Sequence, residues 1–248
     1  VNNDQLVRHY FPESNISGFS HVDGLVAFFT QIRAALRPSH RVLDFGAGRG
    51  ESLWDDNVDY RRELCNLQGR CEHLEGCDID KVVMDNPFLD HAEVVTAGEP
   101  LPYEDDSFDI VVSRAVFEHV SDPDWVAREL LRVVKPGGLI AAITPNKLGY
   151  IGLAARLVPN RFHIIALKKV QPTRKAEDVF PTRYLLNTPK ALRRAFGSRA
   201  DVFVVRTSSE PAYHFGSQLL FGAMKWLTKH LPAWMQPTLF IYIRKHHH

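Results

Sequence analysis

Cysteine is scarce: Cys65, Cys71 and Cys77 are the only three in 248 residues, which excludes a scaffold built on disulfides. They stand six residues apart with His73 among them, whereas compact zinc sites draw on two close cysteine pairs, so no metal is expected. Net charge is nearly absent too, at +1, and with it any bulk pull toward nucleic acid. Long apolar runs are missing: the best candidate, 148–158, is too short to cross a bilayer and contains Arg156. The opening VNNDQLVRHYF has neither the basic start nor the apolar centre of a secretory signal. No repeat or low-complexity tract interrupts the chain. These absences leave the expectation of a cytoplasmic globular protein, read as one domain over 1–248 and long enough to bury a core without covalent staples. The closing KHHH reads as a purification tag, so His246, His247 and His248 carry no functional argument.

What is present is organised around RVLDFGAGRG, Arg41 to Gly50. Val42, Leu43 and Phe45 give a short buried strand, and Gly46, Gly48 and Gly50 follow at alternate positions. Such glycines let the backbone turn sharply and approach a ligand. Asp44 is an acid inside an otherwise apolar strand, where an ionised carboxylate is costly unless paired, and that cost marks it as a ligand candidate.

Before this strand, 22–36 repeats apolar residues at helical spacing (Val22, Leu25, Val26, Phe29, Ile32, Leu36), with Pro38 beyond its end. Residues 1–40 are thus expected to form an N-terminal helical cap. After the glycines the chain is polar and irregular until a second strand, 74–79, which carries Asp78 near its end with Asp80 close behind. In nucleotide-binding α/β folds an acid at the tip of the second strand takes ribose hydroxyls. Asp78 lies 34 residues after Asp44, against the roughly 20 expected between glycine turn and acid, which implies an elaborated first crossover. Further strands are expected at 92–97, 108–113 and 139–144, with a helix at 122–134 stopped by KPGG, where Pro136 cannot continue it and a glycine caps it. Alternation of strand and helix over 41–144 is the pattern of a mostly parallel sheet. A helix at 188–196, opened by Thr188 and Pro189, a strand at 201–207, a helix at 217–231 and a strand at 237–245 complete the chain.

Charge is polarised under the small total. Between 156 and 199 eleven Lys or Arg face Glu177 and Asp178, whereas 99–124 holds eight acids and Arg114. The segment 146–183 mixes apolar runs with basic residues and begins just after the fifth strand. The ligand crevice of an open α/β sheet lies at the carboxyl ends of its strands, so this insertion is expected to stand over an acceptor as a lid.

Four motifs in order, DFGAGRG at 44–50, LPYEDDSFD at 101–109, FEHV at 117–120 and LLRVVKPGG at 130–138, resemble the class I S-adenosylmethionine-dependent methyltransferases. The likeness is to the small-molecule, methyltransferase domain 11-like group, over about residues 38–145. The resemblance implies a Rossmann-like α/β fold with a seven-stranded, mostly parallel sheet, order 3-2-1-4-5-7-6, strand 7 antiparallel, and helices on both faces. It implies S-adenosyl-L-methionine as cofactor; no constellation of Asp, Glu, His and Cys stands beside the motifs, so transfer is expected to need no metal. Carried over by residue, Asp44 with the backbone at Gly46, Ala47 and Gly48 would hold the amino-acid end, Asp78 the ribose, and Ile79 the adenine. The acid that many relatives place after the third strand is Ala97 here, so the Gly98 backbone or Glu99 would substitute. Ser113 and Arg114 would border the methyl group. His119, beside the ligand end of the fourth strand, is the candidate base, since histidine titrates near neutrality. Tyr150, His163, Tyr184 and His214 are acceptor-binding candidates from the variable part.

The function expected is methyl transfer to a small or lipid-like acceptor, with oxygen favoured and a peripheral contact with an anionic membrane in keeping with the basic 156–199 region. Competing readings are an inactive cofactor-binding or scaffolding protein and an RNA methyltransferase. Nucleic acid is disfavoured as partner because no NPPY-like tetrad follows strand four, where the chain reads SRAV. An NAD-dependent oxidoreductase shares the glycine turn but not the intrastrand Asp44.

Overall fold

The computed structural model describes residues 2–150, 181–211 and 214–247. Seven strands form one sheet: β1 Arg41–Phe45, β2 His73–Asp78, β3 His91–Val94, β4 Phe108–Arg114, β5 Val134–Pro145, β6 Ala200–Thr207 and β7 Thr238–Lys245. Their order is β3-β2-β1-β4-β5-β7-β6. Strands β1 to β5 run parallel, and β7 lies antiparallel to both β5 and β6. The order and the antiparallel strand are those the family resemblance implied.

Because strand side chains alternate, each central strand feeds two cores. On one face Leu43, Val111, Ile140 and Ala142 pack with Trp125, Leu130, Leu192 and Phe196, from helices α6 (Pro123–Val133) and α7 (Pro189–Phe196). On the other face Val42, Ile110, Val112 and Ala141 meet Phe28, Phe29, Ile32 and Cys65, from α3 (Gly24–Ala35) and α5 (Asp59–Cys65). Strands clad on both faces read as continuous apolar runs, which is why β1, β4 and β5 were legible. A third, smaller cluster joins Leu6, Val7 and Phe11 to Phe221, docking α1 (Asn3–Tyr10) on α8 (Gln218–His230).

Three expectations change. The polar stretch after the glycines contains two short helices, α4 (Glu51–Trp54) and α5, alongside α2 (Ser14–Ser17) nearer the N-terminus. Too few of their residues are buried to leave a periodic signal. Strand β3 stops at Val94 because Val95 N–H still bonds Asp78 O at 2.9 Å but the chain then turns through Thr96–Glu99. The KPGG glycines do not cap α6. Val134 is already extended at the helix end and pairs with Phe108, and the glycines lie inside β5 where the β4–β5 register shifts. Gly137, at φ +73°, makes that irregularity.

Candidate functional site

The carboxyl ends of β1, β2, β4 and β5 meet at one edge. Asp44 is near the tip of β1, and the chain then turns through Gly46 at φ +81°, where a Cβ would drive into the Val116 side chain. Gly46 and Ala47 N–H both donate to Cys77 O, at 2.7 and 3.1 Å, locking the turn against β2. Gly48 N–H donates to the Asp78 carboxylate at 2.9 Å, and Asp80 N–H donates to its other oxygen at 3.0 Å. Asp80 itself caps the 3-10 turn Lys81–Asp85 through Val82 N–H. Asn86 donates from Nδ2 to Gly48 O at 3.0 Å and Ala47 O at 3.3 Å, holding the outer strand of the turn. Ile79, directly after Asp78, is an exposed aliphatic side chain.

Asp44, Gly46, Ala47, Ser52 and Arg114 line one cavity. Arg114, at the end of β4, hydrogen-bonds Ser52 through its guanidinium. Burial pushes the Asp44 carboxyl up to about 6, with the Arg114 guanidinium opposing and the Asp78 carboxylate adding to the shift. Burial also raises Asp78, against the backbone N–H groups of Asp80 and Gly48 that stabilise its ionised form. Two strand-end carboxylates, each held above its ordinary range, mark a site that gains from a ligand bringing a cation to one and hydrogen-bond donors to the other.

A second set of groups lies beside it. Glu118 is buried; its carboxylate accepts from Thr144 Oγ1 at 2.7 Å, and Asn187 Nδ2 donates to the same Thr144 oxygen at 2.7 Å. The Glu118 carbonyl accepts from Arg183 and Tyr184 N–H at 2.7 and 3.0 Å, and Tyr184 takes φ +53° there. His119 Nδ1 is 3.3 Å from Pro181 O, and its Nε2 is 4.0 Å from Glu118 Oε1.

The structure therefore brings Asp44, Gly46, Ala47, Gly48, Asp78 and Arg114 together, with Glu118, His119 and Tyr184 along the same edge. Ser113 is buried and donates to Phe45 O at 2.9 Å, stitching β4 to β1. Gly98, at φ +92°, faces open space, and Glu99 is exposed while its carbonyl accepts Trp125 Nε1–H at 2.9 Å. Tyr150 follows the β5 end, and His163 lies outside the described residues. His214 sits apart from the others: Nδ1 accepts Gly216 N–H at 3.2 Å, Nε2 is 2.8 Å from Asn3 Oδ1, and its ring packs on Phe221. Asn86, Ser52, Thr144 and Asn187 were not read from the sequence. Nothing in their local pattern separates them from ordinary loop polar residues; only the fold brings them to the site.

No group of three or more His, Cys, Asp or Glu suited to a metal occurs among the described residues. The pair of acids, the open space beside Gly48 and the exposed Ile79 would fit a nucleoside joined to an amino acid: ribose hydroxyls at Asp78, an ammonium at Asp44, a base over Ile79. With the seven-strand order, the arrangement is that of the class I S-adenosylmethionine-dependent methyltransferase fold, and fold and homology indicate S-adenosyl-L-methionine as the cofactor. The chain is homologous to the family described as Methyltransferase domain, Methyltransf_11, whose model matches residues 59–142.

Among curated proteins, the chain is 28% identical over 146 residues to the ubiquinone/menaquinone biosynthesis C-methyltransferase UbiE of Vibrio vulnificus (strain YJ016), covering 55% of this chain and 53% of that protein. It is 32% identical over 114 residues to the glycine/sarcosine/dimethylglycine N-methyltransferase of Actinopolyspora halophila, covering 44% of this chain and 19% of that one. The chain thus spans about half the length of the UbiE proteins it matches. Among solved structures, the complex between the Haloferax volcanii Trm112 methyltransferase activator and the putative methyltransferase aligns at TM-score 0.56 and 17% identity, over 98% of this chain and 95% of that one. At that identity the likeness is one of fold.

Proposed function

We propose that the protein transfers a methyl group from S-adenosylmethionine to a small or lipid-like acceptor, with an oxygen nucleophile as the first reading. The observation that carries the cofactor half is the pair of strand-end carboxylates, Asp44 lining the cavity with Arg114 and Asp78 accepting Gly48 N–H from the glycine turn. When bound, the cofactor supplies an electrophilic methyl on a sulfonium. Asp78 would receive the ribose hydroxyls, Asp44 the ammonium, and Arg114 the carboxylate of the amino-acid end. Ser113 and Arg114, at the end of β4, would border the reacting methyl. Holding the acceptor in line at near-attack distance then lowers the barrier without a protein nucleophile.

For a hydroxyl acceptor the base is His119. A proton on Nδ1, donated to Pro181 O, would leave Nε2 as the basic nitrogen. Tyr150, His163 and Tyr184 are proposed to contact the acceptor, with His214 supporting them from the α1–α8 junction. Segment 146–183 is proposed as the acceptor lid. Its described ends stand on the ligand edge: Lys147 N–H bonds Asn187 O at 3.0 Å and Arg183 N–H bonds Glu118 O at 2.7 Å. A second reading, transfer to carbon, is favoured by the named activity of the UbiE relative.

Calorimetry with S-adenosylhomocysteine, and turnover on a panel of hydroxyl, carbon-acid, amine and RNA acceptors, test the proposal. Asp78→Ala should weaken binding by about 1 to 3 kcal/mol through lost hydrogen bonds. Unchanged affinity would remove Asp78 from the site, and binding without turnover across the panel would favour a non-catalytic role.

A further inference from the structure

Helix α8 leaves an apolar stripe in solvent. Leu219, Leu220, Ala223, Trp226, Leu227 and His230 recur at helical spacing and are all exposed, with Leu219 87% and Trp226 64% accessible. Its inward side holds Phe221 and Thr228, both buried, and Lys225, whose Nζ donates to Tyr10 O and lies 4.3 Å over the Phe11 ring. A surface helix normally keeps such an apolar stripe against the core, because apolar area left in water costs free energy that burial would recover. Trp234, in the 3-10 turn Ala233–Met235 that follows, is also exposed.

We propose that this face is an in-plane docking surface for an anionic lipid bilayer. Three observations select that occupant. First, residues 211–237 contain no Asp or Glu, and Lys229 and His230 are exposed at the helix end, with Arg8 and His9 exposed at the end of α1, where His9 meets Gln218. That charge complements phospholipid headgroups. Second, indoles at two points along the patch suit the headgroup boundary, where one part of the ring is apolar and the N–H is wet. Third, α8 has 13 residues, about 20 Å of helix, too short for a hydrocarbon layer of about 30 Å, and no described helix is long and apolar enough to cross a membrane. An amphipathic helix of this kind lies on the surface, with its apolar stripe below the headgroups.

The topology places this surface usefully. Strand β6 ends, and β7 begins, at the edge where β5 ends: Thr207 pairs with Thr238, and Thr238 with Pro145. Everything between 208 and 237 therefore connects two chain ends at the ligand edge, and Asn146 Nδ2 fastens the turn there through Trp234 O at 3.0 Å and Gln236 O at 2.8 Å. The loop that carries α8 is thus anchored at the ligand edge. The inference does not depend on which acceptor is methylated.

The test is sedimentation of the full chain with vesicles of phosphatidylcholine alone or mixed with phosphatidylglycerol. The parent should bind the mixed vesicles with a blue shift of tryptophan emission, bind phosphatidylcholine weakly, and release as salt rises. The double variant Leu219→Glu/Trp226→Glu should lose binding by at least about tenfold with circular dichroism and S-adenosylhomocysteine affinity unchanged. Lys229→Glu should weaken binding several-fold and flatten its salt dependence. Three results overturn the proposal: no binding to either vesicle, equal binding by parent and double variant, or a dimer in sedimentation equilibrium that the double substitution abolishes without vesicle binding. The last would assign the face to a second copy of the chain.

Discussion

Asp44 carries a structural cost, and its proposed role as the partner of a ligand ammonium would account for it. Its strand is apolar on both sides, so the carboxylate is desolvated and its folded pKa rises from 3.8 to about 6. The folded apo protein therefore binds a proton that the unfolded chain has released, and the stability this contributes is present below pH 3.8 and lost as pH rises through about 6. Asp44→Asn should stabilise the apo protein at pH 7 by about 1 to 2 kcal/mol, measured by denaturant unfolding. A ligand ammonium needs the ionised form. S-adenosylhomocysteine should bind about tenfold more weakly at pH 5 than at pH 7. Asp44→Asn should remove that pH dependence along with much of the affinity, and a parallel slope in parent and variant would contradict the assignment. His119 gives a separate expectation. His119→Ala should lower kcat on a hydroxyl acceptor by at least about tenfold with product affinity unchanged; an unchanged kcat would leave His119 a packing role beside Pro181.

The elements of the site are fastened by buried charge as well as by apolar contact. Arg61 of α5 holds Asp56 with Nε and Nη2 at 2.6 and 2.7 Å and Asp23 with Nη1 at 2.6 Å. Asp23 is also the N-cap of α3, accepting from Leu25 and Val26 N–H at 2.9 Å each. Glu210, from the loop after β6, is raised by burial and by the Asp23 carboxylate while it accepts from Ser20. One guanidinium thus balances carboxylates from three parts of the chain, and removing it leaves them buried and uncompensated. Arg61→Met should cost about 3 to 5 kcal/mol, with partial recovery when Asp56→Asn is added. Equilibrium unfolding in urea would read this, and a loss below about 1 kcal/mol would mean that solvent already screens the network.

Across the whole molecule, the two edges of the sheet divide the labour. Asp44, Asp78 and Arg114, the Glu118–Thr144–Asn187 chain, the described ends of 146–183 and the two ends of the loop that carries α8 gather at the carboxyl edge. At the opposite edge the charges serve structure, as where Lys135 Nζ meets Asp109 at 2.8 Å and Arg41 N–H donates to the same carboxylate at 2.9 Å. If 146–183 is the acceptor lid, a folded variant with a short linker in its place should keep cofactor-product affinity within a few fold. Its kcat/KM should fall at least tenfold, about 1.4 kcal/mol of transition-state stabilisation. Parental kcat/KM in that variant would remove the lid and the substrate argument built on it.

The sequence by itself determined the central strands, the glycine turn and the acids at the strand tips, and the family resemblance supplied the strand order. Strands covered on both faces must be apolar throughout, a turn like that at Gly46 tolerates no Cβ, and acids at strand tips stand out against apolar neighbours. Each of these signals is local, so each could be read from consecutive residues. Tertiary structure alone decided the rest. Asn86 closes the glycine turn from 38 residues away and Asn187 reaches Thr144 across 43, and no local pattern marks such partners. KPGG has the composition of a helix cap, yet it lies in β5 because pairing Val134 with Phe108 draws the chain into the sheet at once. The amphipathic pattern of 217–231 gave the helix but not its orientation. Packing Phe221 against Tyr10, with ring centroids 5.0 Å apart, fixed one face inward and left Leu219 and Trp226 facing out. A periodic pattern specifies a helix, but only its neighbours decide which side of it they will cover.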